Sequence, residues 1–302
     1  MFSKWTPVLG NTSTAFVDAV NEPENHRWQP LAGADVLRRR DHWLRDIRAF
    51  FAARDVIEVH TPLLGQATVT DPDVGAIAVS DRSGFLQTSP EYFMKRLLAA
   101  GAPSCYQLAP VFRADEVGRH HNTEFLMLEW YRLGFDHHQL MAEVAALVAC
   151  VLGPADVQTV SYEHLVGDVN APRDELDLRF SEACAALAGR WFVVDYPADQ
   201  AVLARLNPDQ QTAARFEIVV DGVELANGYW ELTDPAVHRQ RFAADNSIRR
   251  QRELPEVEPD ARFLAAMDHG LPECAGVALG LDRLFMLGLG ASNLDAVLSF
   301  RR

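Results

Sequence analysis

The segment FRADEVGRHHNTEF, residues 112–125, decides the fold together with GVALGLDRL, residues 276–284. The first segment is a charged loop between two runs of strand-like residues, and the second is a glycine-rich strand that leads into a helix. About 150 residues separate them, as expected when one domain closes around one ligand. Arg113, Arg119 and Arg283 can each bind phosphate oxygens through two N–H groups at once. The two segments therefore predict a nucleotide site.

The composition is that of an ordinary globular protein with 302 residues and a hydrophobic fraction of 48%. No apolar run reaches the roughly 18 residues of a membrane span, and the N-terminus lacks the apolar segment of a signal peptide. The four cysteines are far apart and form no CxxC pair, which argues against a zinc site and fits a reducing cytoplasm. The net charge of −14 is unfavourable for a large nucleic-acid footprint and compatible with a basic protein partner. We expect a cytoplasmic protein that contacts no membrane.

The chain is predicted to comprise an N-terminal extension, residues 1–30, and one catalytic domain, residues 31–302. The extension is polar, irregular and rich in Pro and Asn. Apolar residues recur at helical spacing over residues 34–54, and residues 56–64 are predicted to form a strand closed by Pro62. Strands paired by local hairpins, with helices between them, predict an antiparallel α+β sheet rather than a doubly wound parallel one.

The strand after the charged loop carries unusual side chains on one face. Successive side chains of a strand point to opposite faces, so Phe125, Glu129 and Tyr131 share one face while Leu128 and Trp130 share the other. An aromatic ring, a carboxylate and a phenol in line suit a surface that stacks adenine and binds a cationic amine. A half-solvated strand, in which Glu129 meets a basic neighbour, explains the pattern equally well.

Residues 214–232 predict a second hairpin with Asp221-Gly222 as its two-residue turn. In that register Glu217 lies diagonal to Glu224 on one face, at about 7–8 Å. Two carboxylates so placed repel each other unless a cation lies between them, and Mg²⁺ prefers one or two carboxylates together with phosphate oxygens. The alternative is a surface hairpin with two solvated glutamates.

Other candidate residues depend on details of backbone geometry. Asn227 and Glu231 fall on the opposite face of a regular strand, and we expect a β-bulge at Gly228 to turn them inward. Glu91 lies near the start of a predicted helix, where favourable interaction with the helix dipole is a sufficient explanation for an acid. Asp282 is expected to orient the following arginine or to cap its helix.

Four strings in this order resemble the catalytic core of lysyl-tRNA synthetases, which are class II aminoacyl-tRNA synthetases: TSPEYFMKRLL, FRADEVGRHHNTEFLMLEWY, GVELANGYWEL and GVALGLDRL. The second and fourth contain motifs 2 and 3 of that class, and residues 34–64 resemble motif 1, which builds the dimer interface. The resemblance runs from about residue 34 to the C-terminus and extends to the freestanding ligases that modify elongation factor P. It implies a class II antiparallel sheet flanked by helices, and a homodimer.

By position, the resemblance also implies an ATP site, a magnesium site and a lysine pocket. The ATP site would comprise Arg113, Ala114, Asp115, His121, Asn122, Phe125, Glu224, Leu225, Gly280 and Arg283. Mg²⁺ would be held by Glu217 and Glu224. The lysine pocket would comprise Ser89, Pro90, Glu91, Glu129, Tyr131, Asn227, Glu231 and Ala278. The catalytic residues would be Arg113 and Arg283. Glu129, Tyr131 and Glu231 would bind the side-chain amine, and Glu91 the other amine.

Two positions depart from the synthetase pattern. Motif 2 usually has Glu where this chain has the shorter Asp115, and the neighbouring Glu116 could partly substitute. Motif 3 of lysyl-tRNA synthetases has Gly where this chain has Ala278. The added methyl narrows the pocket floor, and we hypothesise that it favours (R)-β-lysine, whose amine is displaced.

The resemblance implies a reaction in two steps. Only some 30 residues precede the core, too few for the five-stranded OB barrel that reads the anticodon in lysyl-tRNA synthetases. We therefore expect lysine or (R)-β-lysine to be activated by ATP and transferred to a lysine ε-amine of elongation factor P, without tRNA. The alternatives are a minimal tRNA ligase and a non-catalytic paralogue with a regulatory role. The presence of the ATP-site arginines and carboxylates disfavours the second alternative.

Overall fold

The structure is a computed structural model that describes residues 28–80, 84–114 and 117–301. The predicted extension lies outside this range except for its last three residues, and the predicted ATP-site residue Asp115 lies outside it as well.

Eight α-helices and eleven strands make up the described part of the chain. The helices are α1 (Ala34–Ala52), α2 (Glu91–Ala99), α3 (His137–Leu152), α4 (Tyr162–Val166), α5 (Arg173–Ala185), α6 (Pro235–Gln251), α7 (Ala261–His269) and α8 (Leu281–Gly288). The strands are β1 (Ile57–Glu58), β2 (Leu64–Gly65), β3 (Ile77–Val79), β4 (Gly84–Leu86), β5 (Cys105–Phe112), β6 (Glu124–Leu133), β7 (Val157–Ser161), β8 (Arg190–Pro197), β9 (Thr212–Val220), β10 (Val223–Trp230) and β11 (Cys274–Gly280). Among these described helices, none combines the length and the apolar character that crossing a bilayer requires.

An eight-stranded sheet in the order β1-β5-β6-β11-β10-β9-β8-β7 dominates the fold. Its six central strands are antiparallel, and only the edge strands β1 and β7 pair in parallel with their neighbours. A second sheet contains β2, β4 and β3. The predicted antiparallel α+β architecture is confirmed.

Helices α1, α3 and α8 cover one face of the sheet and hold the larger core. Trp43 of α1 stacks on Phe285 of α8 at 5.2 Å between ring centroids, and Phe51 of α1 meets the edge of Trp130 at 5.5 Å. Burial of each such ring contributes about 1.5–3 kcal/mol to stability. This core fixes the sheet as a rigid support for the opposite face.

The opposite face of the sheet meets a second cluster, built from α2, α6 and α7. Tyr92 of α2 stacks on Phe263 of α7 at 4.3 Å, and both belong to the same cluster as Tyr131. Because side chains of β6 alternate, Trp130 enters the first core while Tyr131 faces the second cluster. The predicted division of β6 into two faces is confirmed.

The predicted hairpin around Asp221-Gly222 is also confirmed. Val220 pairs with Val223 and Val219 with Glu224, which is the predicted two-residue turn. The turn residues have φ of 47° and 78°, the left-handed values that such tight turns require.

The bulge in this hairpin lies at Leu225, and the prediction that it lies at Gly228 is wrong. The pairing jumps between Glu224 and Ala226, whereas Gly228 stays in regular register opposite Phe216. A Cβ at Gly228 would come within 2.4 Å of the Phe216 ring, so this glycine serves close packing. The bulge three residues earlier brings Asn227 to the face of Glu224.

The predicted strand over residues 56–64 is wrong in extent. Only Ile57–Glu58 pairs with β5, and Leu64–Gly65 belongs to the second sheet. Between them the Thr61 N–H donates to the side-chain oxygen of Gln107 at 2.9 Å, and the following proline has no N–H to continue a ladder. The predicted helix over residues 34–54 is confirmed as α1.

Candidate active site

A cavity opens on the sheet face that carries Glu129 and Tyr131. Its walls come from α2 and from strands β6, β10 and β11, which are neighbours only in the folded protein. Seven of the eight predicted lysine-pocket residues line it, together with Arg113: Ser89, Glu91, Glu129, Tyr131, Asn227, Glu231 and Ala278. The eighth, Pro90, precedes α2 and does not line the cavity.

Glu129 is the best-oriented carboxylate of this cavity. The Ser89 hydroxyl donates to its Oε2 at 2.7 Å, and the Tyr131 hydroxyl donates to its Oε1 at 2.7 Å. Burial, reinforced by the nearby charge of Glu91, raises the pKa of Glu129 to about 7. The ionised form is therefore held in one place and lacks a cationic partner of its own among the hydrogen bonds of the described residues.

Lys95 is a buried member of the site that the sequence patterns did not indicate. Its Nζ lies 2.6 Å from Glu91 Oε1 and 2.6 Å from Glu231 Oε2. Burial alone would lower the pKa of Lys95, but the two carboxylates raise it above its usual value. Burial also raises the pKa of Glu231 to about 7, against the opposing effect of Lys95. The spacing of four residues from Glu91 on a helix was the available signal.

Six other lining residues were not predicted: Val69, Val74, Thr88, Tyr229, Gly276 and Val277. Close packing requires glycine at position 276, because a Cβ there would lie 2.3 Å from the Tyr131 ring and 2.4 Å from Glu231 Oε1. Tyr229 follows from the alternation of β10 once the bulge at Leu225 is known. Val69 and Val74 lie in a loop that has no motif, and no signal in the sequence indicates them.

A second cavity lies beside the first. It is lined by His120, His121, Asn122, Phe125, Gly280, Asp282, Arg283 and Leu294. Arg113 lines the first cavity, and its guanidinium carbon lies 5.3 Å from the centroid of the Phe125 ring, which lines the second. The structure therefore brings the two motifs of the opening segments to adjacent cavities.

Backbone carbonyls orient Arg283 in the second cavity. Its Nε donates to the carbonyl oxygen of His120 at 2.9 Å, and another guanidinium N–H donates to that of Glu224 at 3.0 Å. Burial, and the charge of Arg283, lower the pKa of His121 to about 3, so His121 is neutral. A neutral imidazole can donate to an anionic ligand without adding charge.

The predicted role of Asp282 is wrong. It neither orients Arg283 nor caps α8. Its Oδ1 accepts from Arg40 of α1 at 2.7 Å, and its Oδ2 accepts from the backbone N–H of Leu126 at 2.8 Å. Asp282 therefore links α1 to β6, and Arg40 forms an ion pair with it.

Glu217 and Glu224 are buried neighbours on the hairpin face. Arg215 donates to Glu217 Oε1 at 2.5 Å, whereas neither carboxylate oxygen of Glu224 accepts a hydrogen bond from the described residues. Burial and the charge of Glu217 raise the pKa of Glu224 well above its usual value. A buried carboxylate without donors is an arrangement that a bound cation completes.

The carboxylate pair fits Mg²⁺ only with ligands from a second molecule. Among the described residues, no group of three or more His, Cys, Asp or Glu side chains converges to hold a metal ion. Two carboxylates leave most of the octahedral positions of Mg²⁺ to water and phosphate oxygens, as is usual for magnesium bound with a nucleotide. Asn227 lies beside the pair, with its Nδ2 3.4 Å from Glu217 Oε1.

The comparison with known protein families agrees with this geometry. The model of the class II tRNA synthetases (D, K and N) matches residues 31–302. The chain belongs to this family. ATP use follows from that membership.

Similar proteins in several bacteria are elongation factor P–(R)-β-lysine ligases. That of Vibrio cholerae serotype O1 is 43% identical in an alignment of 317 positions. The alignment covers 91% of this chain and 98% of the relative. Those of Pectobacterium carotovorum and Yersinia enterocolitica are 43% and 42% identical over 318 residues, with 92% and 98% of the two lengths covered in each case. The family and these matches together identify the chain as an ATP-dependent ligase.

Three of the described residues that were predicted for the ATP site, Ala114, Glu224 and Leu225, line neither cavity. The side chain of Leu225 is fully buried in the larger core, so only its backbone is available to a ligand. Ala114 lines neither cavity, and its N–H donates to the carbonyl oxygen of Gly75 at 2.8 Å. Asp115 lies outside the described residues.

Proposed function

We propose that the protein activates a lysine-type amino acid, preferably (R)-β-lysine, as its adenylate and transfers it to a lysine ε-amine of elongation factor P. One observation carries the proposal: a cavity that holds Glu129 between Ser89 and Tyr131 adjoins a cavity lined by Phe125 and Arg283. The first suits an amine-bearing acid and the second suits ATP. The names and high coverage of the bacterial relatives support the same reaction.

In the first step, the carboxylate of the amino acid attacks the α-phosphorus of ATP. A bond forms between the carboxylate oxygen and phosphorus, and the bond to the leaving pyrophosphate breaks. Arg113, where the cavities meet, neutralises charge on the α-phosphate, and Arg283 does so farther along the triphosphate. Glu217 and Glu224 would hold Mg²⁺, which supplies further neutralisation of phosphate charge when bound. No enzyme nucleophile is required, because both reactants are positioned side by side.

In the second step, the neutral ε-amine of a lysine on the acceptor protein attacks the carbonyl carbon of the adenylate. A carbon–nitrogen bond forms, the bond between the carbonyl carbon and the phosphate oxygen of AMP breaks, and the amine loses one proton to water as AMP leaves. Throughout both steps, Glu129, Tyr131 and Glu231 hold the side-chain amine of the bound amino acid, and Glu91 holds the other amine. Burial of these acids excludes competing water from their charges.

The proposal includes a homodimer formed through α1 and the adjacent strand. Leu37 of α1 and Ile57 of β1 are both 44% exposed, and such a dimer would cover them. Light scattering of the purified protein measures the mass directly.

Mass spectrometry of elongation factor P tests the proposed function. The acceptor protein is incubated with enzyme, ATP and either α-lysine or (R)-β-lysine, and the expected result is the mass gain of one lysyl residue on a lysine side chain. Omission of ATP is the control. Aminoacylation of tRNA in place of this modification would support the minimal tRNA ligase.

Ala278 is expected to control the choice between lysine isomers. It lies opposite Glu129 in the sheet and lines the cavity, so its methyl group occupies space beside the amino acid. We expect Ala278→Gly to shift the ratio of kcat/KM for (R)-β-lysine over α-lysine toward α-lysine by about tenfold, the usual effect of one methyl group in a pocket. ATP–pyrophosphate exchange with both isomers measures the ratio. An unchanged ratio would discard this role.

The affinity for lysine is expected to rise with pH. Glu129 and Glu231 each have a pKa of about 7 in the empty cavity, and an ammonium group requires their ionised forms. The ionised fraction of one such carboxyl rises about tenfold between about pH 6 and about pH 8. The KM for lysine should therefore fall by at least about that factor, because two such carboxyls are involved. A KM for lysine that stays constant between these two pH values would contradict this account.

A further inference from the structure

Lys95 is a cation buried in the wall of the amino-acid cavity. Its side chain has no solvent exposure, and its Nζ lies 2.6 Å from both Glu91 Oε1 and Glu231 Oε2. Glu91 begins α2 and Glu231 directly follows β10, so Lys95 joins the helix to the sheet. Neither step of the proposed reaction uses its amine.

The side chains that line the cavity carry an excess of negative charge, which Lys95 reduces. Three carboxylates line the cavity, those of Glu91, Glu129 and Glu231, and Arg113 lies where the nucleotide cavity begins. Lys95 contacts two of the three carboxylates, while Glu129 receives only neutral hydroxyl donors in the described structure. The three carboxylates and the ammonium of Lys95 sum to two negative charges where the amines bind, and the guanidinium of Arg113, beside the Phe125 ring, is left for the carboxylate of the amino acid and the α-phosphate.

We propose that Lys95 is a positioning residue, which fixes Glu91 and Glu231 and offsets the repulsion between them, so that the cavity selects a substrate bearing two ammonium groups. This inference rests on the proposed function, because it concerns the substrate of the same cavity.

The physical basis is the repulsion between carboxylates in a closed space. Like charges at this proximity cannot all remain ionised, so one carboxyl would take up a proton if Lys95 were absent. A protonated carboxyl binds an ammonium group weakly, and its orientation would no longer be set by an ion pair. With Lys95 in place, a lysine-type acid brings one ammonium for each remaining negative charge. A monoamine would leave a buried carboxylate without compensation.

Other titratable groups lie near Lys95 or near the two carboxylates that it contacts. His238 of α6 and Cys274 of β11 interact electrostatically with Lys95. Tyr131 of β6 and Tyr229 of β10 interact electrostatically with Glu91 and Glu231. Burial, and the charge of Lys95, lower the pKa of His238 to about 4, so it is neutral near pH 7. Burial raises the pKa of Cys274 and of both tyrosines, which are neutral as well. Near neutral pH, the charge of the cavity therefore changes through Glu129 and Glu231.

The test compares Lys95→Met with Arg96→Met in ATP–pyrophosphate exchange. Arg96 is the next residue of α2 and lies over the Phe93 ring outside the cavity, so its replacement removes a cation from the same helix. For Lys95→Met we expect the KM for lysine to rise by about 100-fold or more, with the KM for ATP within about threefold of wild type. The acidic limb of the pH profile of kcat/KM for lysine should move by at least about one pH unit upward, because the carboxyls lose a neighbouring positive charge. Arg96→Met should change neither quantity.

A second variant distinguishes the loss of the positive charge from a loss of folding. Lys95→Gln keeps a hydrogen-bond donor beside the carboxylates and removes only the charge, and the same shift of the pH profile is expected. An unshifted profile in a folded variant, measured by its thermal transition, would overturn the proposal.

The wild-type enzyme supplies a test that needs no variant. As competitive inhibitors against lysine, 1,5-diaminopentane should bind at least about 30-fold more tightly than pentylamine, because only the diamine compensates both negative charges. Equal inhibition by the two amines would overturn the charge count. Failure of the proposed function is a different outcome, because the wild-type enzyme would then show no lysine-dependent exchange at all.

Discussion

The Arg113→Ala variant is expected to keep its fold and to catalyse ATP–pyrophosphate exchange about 10³-fold more slowly. Removal of one oxyanion-hole donor slows a reaction by about this factor, and the preorganised charge of Arg113 at the reacting phosphate contributes at least as much. Arg113 is only 2% exposed, it lines the amino-acid cavity, and its guanidinium carbon lies 5.3 Å from the Phe125 ring of the nucleotide cavity. No other arginine lines the amino-acid cavity among the described residues. The loss should appear in kcat, since the charge that Arg113 neutralises develops during transfer at the α-phosphorus.

A buried arginine elsewhere in the fold provides the matched control. Arg190 is 9% exposed, lines neither cavity of the site, and donates to the carbonyl oxygens of Gly153 at 2.8 Å and Leu152 at 3.1 Å. Arg190→Ala should lower the melting temperature but leave the exchange rate within about threefold, because its donors serve structure alone. Exchange retained by Arg113→Ala at the wild-type rate would refute the catalytic assignment.

Glu224→Gln is expected to lose activity and gain stability at once. Neither carboxylate oxygen of Glu224 accepts a hydrogen bond from the described residues, and burial beside Glu217 raises its pKa well above the usual value. Loss of the proposed magnesium ligand should reduce exchange by about 10²-fold or more and raise the Mg²⁺ concentration required for half-maximal rate.

The stability gain of Glu224→Gln should depend on pH. A carboxyl whose pKa is higher in the folded than in the unfolded protein binds its proton more tightly when folded, so folding becomes less favourable as the pH rises between the two pKa values. The variant lacks this group. Its melting temperature should therefore exceed that of wild type by more at about pH 8 than at about pH 6 in thermal denaturation without magnesium.

Glu217→Gln offers the contrasting outcome. Glu217 accepts from the buried guanidinium of Arg215 at 2.5 Å, so its replacement leaves an uncompensated buried cation. Breaking such a pair costs about 3–5 kcal/mol, and the variant should melt at a lower temperature than wild type. Both variants should lose activity. A lower melting temperature of Glu224→Gln, with an unchanged magnesium requirement, would remove Glu224 from the site.

The sequence by itself determined the elements whose signals are local. The alternation of β6 placed Phe125, Glu129 and Tyr131 on one face, and the Asp221-Gly222 turn set the register of its hairpin. Such predictions succeed because a strand has a period of two and a tight turn permits one register. The order of four short motifs then indicated the family and most residues of the two cavities.

Only the tertiary structure decided which distant groups meet. Lys95 joins Glu91 to Glu231 because α2 packs over the end of β10, and Asp282 of α8 binds Arg40 because α1 packs against α8. The bulge at Leu225, which turns Asn227 toward the site, likewise depends on how β9 and β10 pair. Ion pairs and bulges of this kind arise from packing between elements that are remote along the chain. Periodicity describes each element alone and contains no information about its neighbours.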